Sequence, residues 1–302
     1  MEISRILVTG ATGFIGRYLF AQLTGRGYAV TGLSKHGGTA AGRPIAAVDI
    51  TDESAVNEFF GKHRIDMVFH LACYIPREGD ENSFERCWRV NGAGTRNLVR
   101  AAAAQGVKRF IYTSSQTVCT GAGRTYVSED VESPSSEYGV TKLAGEHLSR
   151  IYSADFMRLV ILRYGSVYGS GQVPATALTK FVEKSAQKEP LTIWGDGGST
   201  YDYIYVKDAV ELTMKAGLSD EVGVFNVGSG EPTSIKVLAE TLAGLCPGVK
   251  IFFDESKPDA GRRFCFDMEK TRKTFGCAPR YSLRDGLKEY LGERAQTTCL
   301  NQ

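Results

Sequence analysis

Three features of this 302-residue chain predict an α/β protein with a doubly wound parallel sheet. Strand and helix signals alternate through the first half, a glycine-rich turn follows the first strand at once, and a second strand soon closes a βαβ unit. The first strand is the short apolar run Arg5-Ile-Leu-Val-Thr9, bounded by polar residues and glycine. Residues 14–23 carry apolar side chains at helical spacing, and residues 28–33 read as the second strand. Further strands are predicted at 45–48, 67–71, 109–113 and 159–163, with helices at 83–104 and 137–153 between them. After about residue 165 the pattern is mixed. Short strands are expected near Leu191 and Phe225, helices at 176–185 and 234–245, and a terminal helix from Leu283.

Composition narrows the function classes. Hydrophobic residues make up 42% of the chain, enough for a full core in one large domain or two closely joined ones. The 36 basic and 34 acidic side chains leave a formal net charge of +2, so no broad field gathers nucleic acid or an acidic membrane surface. The first strand begins at the N-terminus and no apolar run approaches membrane-spanning length, so a cytoplasmic protein is expected. Seven cysteines, with no C-x-x-C pair and no clustering with the four histidines, argue against a disulfide framework and a metal site.

Thr9-Gly10-Ala-Thr12-Gly13-Phe14-Ile15-Gly16 is the first motif with chemical meaning. Glycines let the backbone turn tightly and approach a pyrophosphate, and the following helix start offers amide donors and partial positive charge. This makes residues 1–165 a dinucleotide-binding, Rossmann-type domain, with 166–302 a smaller mixed α/β region for substrate, some of whose segments can return to the first. Asp49 and Ile50 follow the strand at 45–48, where the carboxylate can accept from an adenine amino group or cap a helix; Thr51-Asp52 is a rival cap.

The second motif, Tyr138-Gly-Val-Thr-Lys142, sets a phenol and an ammonium four residues apart on one helical face. The positive charge is expected to favour phenolate and bring the tyrosine into the range of a working acid or base. Upstream, Phe110-Ile-Tyr-Thr-Ser-Ser115 ends a strand in small hydroxyls, so Ser115 can hold a substrate oxygen or satisfy a local turn. His70, His147, Trp88 and Trp194 read as packing residues.

With these motifs in order, the chain resembles the extended short-chain dehydrogenases, in the branch of nucleotide-sugar epimerases, dehydratases and ketoreductases. Further matching segments are His70-Leu71-Ala72, Val90-Asn91-Gly-Ala-Gly-Thr95, Leu162-Arg163-Tyr164-Gly-Ser166-Val-Tyr168-Gly169, Trp194-Gly-Asp-Gly197, Tyr203-Ile-Tyr-Val-Lys-Asp208 and Phe225-Asn-Val-Gly-Ser-Gly230. The resemblance implies that Tyr138 is the acid/base, that Lys142 also holds the nicotinamide ribose, and that Ser115 orients the reacting oxygen. It further implies that Leu71, Ala72, Cys73 and Asn91 line the cofactor channel, and that the protein is a homodimer through helices at 83–104 and 137–153.

Departures from the family pattern bear on cofactor and substrate. The second strand ends in Leu33-Ser34-Lys35 instead of an acidic residue, which favours NADP(H), with NAD(H) as the alternative. Gln116-Thr117 replace the acidic pair of the dehydratases. Ser166 and Tyr201 replace an asparagine and an arginine that contact the substrate's diphosphate, Lys257 aligns with a second arginine, and Arg262 or Arg263 can compensate. The expected activity is reduction of a 4-keto group on a nucleotide sugar with NADPH. The alternatives are an NAD-dependent 4-epimerase, a ketoreductase whose substrate carries no nucleotide, and a non-catalytic NADP(H) sensor.

Overall fold

The structure, a computed structural model, describes residues 4–300 apart from 78, 124, 154, 174 and 175. Its main sheet has eight strands: β1 (Arg5–Thr9), β2 (Ala29–Ser34), β3 (Gly38–Ala40), β4 (Arg43–Ala47), β5 (Met67–His70), β6 (Arg109–Ser115), β7 (Arg158–Tyr164) and β8 (Gly223–Val227). Their order is β8-β7-β6-β5-β1-β2-β4-β3. The pairings β1 with β2, β1 with β5, β2 with β4, β5 with β6, and β6 with β7 are all parallel. The expected doubly wound Rossmann-type sheet is therefore present. Because β1 lies between β2 and β5, the chain reverses its winding direction there, and the crevice at the carboxyl ends of such strands is where this architecture binds ligands.

Continuous apolar runs form these strands because helices bury them. Every residue of β5 is buried. Leu7, Val68, Phe110 and Ile161 of the sheet share one core with Val56, Phe59 and Phe60 of the Glu53–Lys62 helix and with Leu98, Val99 and Ala102 of the Thr95–Ala104 helix. Asp52 caps the first of these helices by accepting the N–H of Ala55, so the cap is Asp52 and not Asp49.

The helix expected at 83–104 is not uniform. Regular turns at Ser83–Cys87 and Thr95–Ala104 flank a π-helical stretch, Trp88–Gly94. Wide turns of this kind are rare and concentrate at functional sites. The buried Asn91 amide lies in this stretch; its Oδ1 accepts from the Tyr74 N–H at 2.8 Å, and its Nδ2 donates to the Tyr74 carbonyl at 2.9 Å and to Thr141 Oγ1 at 3.3 Å. Sequence periodicity carried no sign of this, because the bonds that repay the irregular turn come from residues distant in the chain.

By compactness the chain divides into two units. The first comprises 1–122, 129–164 and 210–225; the second comprises 123–128, 165–209 and 226–302. The division near residue 165 has two exceptions: 210–225 belongs with the first unit, because β8 completes the main sheet, and 123–128 belongs with the second, because Tyr126–Val127 pairs with Cys265–Phe266. Within the second unit, Ser166–Tyr168 pairs parallel with Thr200–Tyr205, which pairs antiparallel with Pro232–Ser234. These short strands escaped the sequence reading.

The Glu137–Tyr152 helix lies so close to β6 that Gly145 cannot carry a side chain. An added Cβ would stand 2.1 Å from Tyr112 Oη and 3.1 Å from the Asn91 carbonyl. Tyr112 is fully buried and donates to the Lys142 carbonyl, so it cannot move aside freely. Gly145→Ala is therefore expected to destabilise the protein by about 1–3 kcal/mol despite alanine's better helix propensity. Denaturant unfolding monitored by circular dichroism measures this, and an unchanged midpoint would contradict the close packing.

Candidate active site

The turn after β1 is built for an anionic ligand. Gly10 has a φ of +67°, and a Cβ there would meet the Ala72 backbone at 2.9 Å; a Cβ on Gly16 would stand 2.0 Å from the Gly10 carbonyl. The Phe14–Gly25 helix begins after Gly13 with no side-chain cap and no acidic residue in its first turn. Amides at 14–16 thus lack helical partners of their own, and the helix's partial positive charge is not cancelled. These groups fit the pyrophosphate of a dinucleotide. Leu71 and Ala72 lie against the same turn, with Leu71 N–H donating to the Thr9 carbonyl at 3.3 Å and Ala72 N–H to Thr9 Oγ1 at 3.1 Å.

His70 anchors this arrangement as a packed histidine. Its Nδ1 pairs with Thr9 Oγ1 at 2.8 Å and its Nε2 with Thr95 Oγ1 at 3.0 Å. Burial, aided by the Lys142 charge, lowers its pKa to about 3, so it stays neutral at physiological pH.

Ser115 and Tyr138 are within hydrogen-bond reach of each other, and Lys142 reaches from the Tyr138 helix to the strand that ends in Ser115. Ser136 caps the Glu137–Tyr152 helix by accepting the Gly139 N–H at 3.1 Å, which fixes where the helix carrying Tyr138 and Lys142 begins. Lys142 is almost fully buried; its Nζ donates to the Thr113 carbonyl at 2.6 Å and lies 4.4 Å from the centre of the Tyr112 ring. Burial pulls the lysine pKa down, and the negative charges that Cys73 and Glu146 can carry oppose that. Ser115 Oγ accepts from the Thr117 amide at 3.2 Å and the Thr117 hydroxyl at 3.0 Å, leaving its own proton to donate. Its local turn role and an oxygen-holding role are thus compatible.

Tyr138 differs from expectation in one respect. Enclosure pushes its phenol well above the ordinary value, ionised Cys73, Tyr112 and Cys87 push the same way, and the hydrogen bond from Ser115 works against them. Desolvation dominates the protein by itself, so Lys142 alone does not bring the phenol into working range.

The other predicted residues have these places. Thr12 is exposed in the glycine turn. Ser34 is buried, and its hydroxyl donates to the Gly37 carbonyl at 2.8 Å. Lys35 pairs with Asp49 at 3.1 Å, while Asp49 also accepts the amide and hydroxyl of Thr51. Ile50 turns its side chain into the core. Cys73 is exposed, and Asn91 spends its amide on Tyr74 and Thr141. Gln116 and Thr117 form the turn after Ser115. In the second unit, Ser166 pairs in register with Tyr203, and the Arg262 guanidinium lies 4.8 Å from the Tyr201 ring centre and 5.5 Å from that of Phe264. Lys257 lies apart from that pair, over Trp194 at 4.8 Å and near Asp254 at 3.8 Å.

Sequence reading missed Thr113, whose carbonyl holds Lys142, and the buried Glu146 and Arg163. The spacing of Glu146, four residues beyond Lys142, was the available signal. Among the described residues no group of histidine, cysteine and carboxylate side chains is placed to hold a metal, six cysteines are free thiols, and no helix is long and apolar enough to cross a membrane.

Phenol, ammonium and hydroxyl converging beside the carboxyl ends of a doubly wound sheet define an extended short-chain dehydrogenase/reductase. The chain matches the NAD dependent epimerase/dehydratase family over residues 6–228 and belongs to it. It is 32% identical to a UDP-glucose 4-epimerase of Mycolicibacterium smegmatis, over 94% of this chain and 96% of that one. It is 30% identical to a UDP-N-acetyl-alpha-D-glucosaminuronate decarboxylase of Bacillus cytotoxicus, over 94% and 96%. Among solved structures it resembles the UDP-glucose 4-epimerase of Thermotoga maritima with UDP-glucose, at a TM-score of 0.88 and 28% identity over 97% and 99% of the two chains. The UDP-glucuronic acid 4-epimerase of Bacillus cereus, in complex with UDP-glucuronic acid and NAD, gives a TM-score of 0.83 and 30% identity over 97% and 99%.

Proposed function

We propose that the protein is an NAD-dependent 4-epimerase of a nucleotide sugar, with a UDP-sugar as the first candidate. The observation that carries this reading is a site in which, among the described residues, Tyr138 is the one group set for proton transfer, beside Ser115 and on the helix of Lys142. Epimerisation at a carbinol needs only one such group, because the proton taken from the hydroxyl returns to the same oxygen. Loss of water would need a further acid and base, and positions 116 and 117 offer an amide and a hydroxyl already bonded to Ser115. His70 is neutral and held at both nitrogens by threonines.

NAD, when bound, supplies the acceptor and donor of hydride. Amides at 14–16 would bind its pyrophosphate, and Lys142 would hold its ribose while favouring the Tyr138 phenolate. Ser115 donates to the substrate oxygen and keeps it within reach of Tyr138. Tyr138 takes the hydroxyl proton and gives it back. The first unit is assigned to the dinucleotide, and Ser166, Tyr201 and Arg262 of the second to the substrate's nucleotide part. Exposed Phe84, Trp88 and Val140 on the two helices expected to pair subunits support a homodimer as part of the same reading.

Two observations favour NAD over NADP. The Ser34 hydroxyl is committed to Gly37, and the Lys35 charge is matched by Asp49. The lack of a carboxylate at the end of β2 keeps NADPH-dependent 4-ketoreduction as the second reading. A single set of assays separates them. Cofactor released from the purified protein by denaturation is expected to be NAD, and UDP-glucose or UDP-glucuronic acid should yield its C4 epimer by NMR with no nicotinamide consumed. Stoichiometric NADPH loss with a 4-keto-6-deoxy nucleotide sugar, and no epimer, would replace this reading with the reductase.

A further inference from the structure

We infer that Glu146 is a positioning residue of the catalytic set, tying the strand end that carries Ser115 to the helix that carries Tyr138 and Lys142. The inference rests on the catalytic reading of those three residues. Glu146 lies one turn beyond Lys142 and two beyond Tyr138, on the helix face turned to the sheet. Its side chain is fully buried. Oε1 accepts from Ser114 Oγ at 2.5 Å and from Arg163 Nε at 2.9 Å, and Oε2 accepts from Arg163 Nη2 at 2.8 Å. Ser114 immediately precedes Ser115 on β6, and Arg163 is on β7, the next strand.

Arg163 extends the tether to a third element. It too is fully buried, and its Nη1 donates to the carbonyls of Glu129 at 3.0 Å and Val131 at 2.8 Å. That segment leads to Ser136, the cap of the Tyr138 helix, and its later part is stitched beneath Ser115 through Ser133 N–H to the Val118 carbonyl at 2.8 Å. A fork of two parallel hydrogen bonds fixes orientation as well as distance. One buried carboxylate thus sets the spacing between the hydroxyl on β6 and the phenol and ammonium on the helix.

Glu146 also supports the charge on Lys142. The groups facing that ammonium are His70 and Cys73 from and after β5, Tyr112 from β6, and Tyr138 and Glu146 from its own helix. His70 is neutral at working pH, and Glu146 is one of two groups that raise the lysine pKa against burial. The groups around Glu146 itself are Ser114, Tyr112, Arg150 and Arg163. Removing its charge makes Lys142 release its proton at lower pH.

The test is steady-state kinetics on cofactor-loaded, full-length Glu146→Gln and Ser114→Ala, with Tyr138→Phe as the control. Displacing a reacting group by an ångström from a remote site can cost up to about a hundredfold, so kcat of Glu146→Gln should fall about tenfold to a hundredfold. KM and bound cofactor per chain should stay near wild type, and the alkaline limb of its kcat profile should move to lower pH. Ser114→Ala strands no charge, so it reports even if Glu146→Gln does not fold, and its kcat should fall by several-fold. Wild-type kcat in Ser114→Ala together with an unmoved alkaline limb, or activity lost only in proportion to the folded fraction, would overturn the inference. An inactive Tyr138→Phe in the same series keeps that failure separate from a failure of the catalytic reading, which a fully active Tyr138→Phe would show.

Discussion

Tyr138→Phe is expected to lower turnover by about a hundredfold to ten-thousandfold while bound cofactor per chain is nearly unchanged. General acid/base catalysis by one positioned group contributes on this scale, and phenylalanine keeps the ring's packing while removing the transferable proton. No other described group is set to substitute. His70 is neutral with both nitrogens engaged by Thr9 and Thr95, and Lys142 donates to the Thr113 carbonyl. Since enclosure holds the phenol well above its ordinary range, the proposed mechanism expects the wild-type rate to rise with pH, and the residual rate of the variant should lose that dependence. The measurement is kcat across pH with cofactor content determined by absorbance after denaturation. Full activity would remove Tyr138 from the reaction.

Lys142→Met should damage two properties at once. Methionine matches the buried stem but loses the ammonium, which donates to Thr113 and lies over the Tyr112 ring. A hydrogen bond to a charged group is worth about 1.5–3 kcal/mol, so losing the ribose contact proposed for it should weaken cofactor binding by about tenfold to a hundredfold. Turnover should fall by at least about a hundredfold as well, because phenolate loses its neighbouring positive charge. Titration with NAD and NADP alongside saturating-cofactor kinetics separates the two. A drop in turnover with unaltered cofactor affinity would show that the ammonium serves Tyr138 alone.

Much of this site was legible before any coordinates. Strand and helix periods located the main sheet's central strands, the Gly10 to Gly16 turn located the anion-binding helix start, and a four-residue spacing placed Tyr138 and Lys142 on one face. Those features are local: periodicity, φ preference and helix geometry are written within a few residues of the chain. Family membership was legible too, because the motifs occur in a fixed order along most of the chain, and the match over 6–228 bears it out.

The remainder depended on residues distant in sequence. Whether Lys35 is open to a ligand turned on Asp49, which follows the neighbouring strand β4, whereas Ser34 is engaged locally by the Gly37 carbonyl. The π-helical turn at Trp88–Gly94 exists because Tyr74 and Thr141 bond to Asn91. The tyrosine's acidity was misjudged from spacing alone, since the burial that dominates it is a property of the packed site. In the same way, nothing local marks Glu146 and Arg163 as partners: folding brings them together at zero exposure, with Ser114 bonded to the same carboxylate. Local geometry is encoded by neighbours in the chain, whereas burial and the matching of buried charges are set by which segments meet.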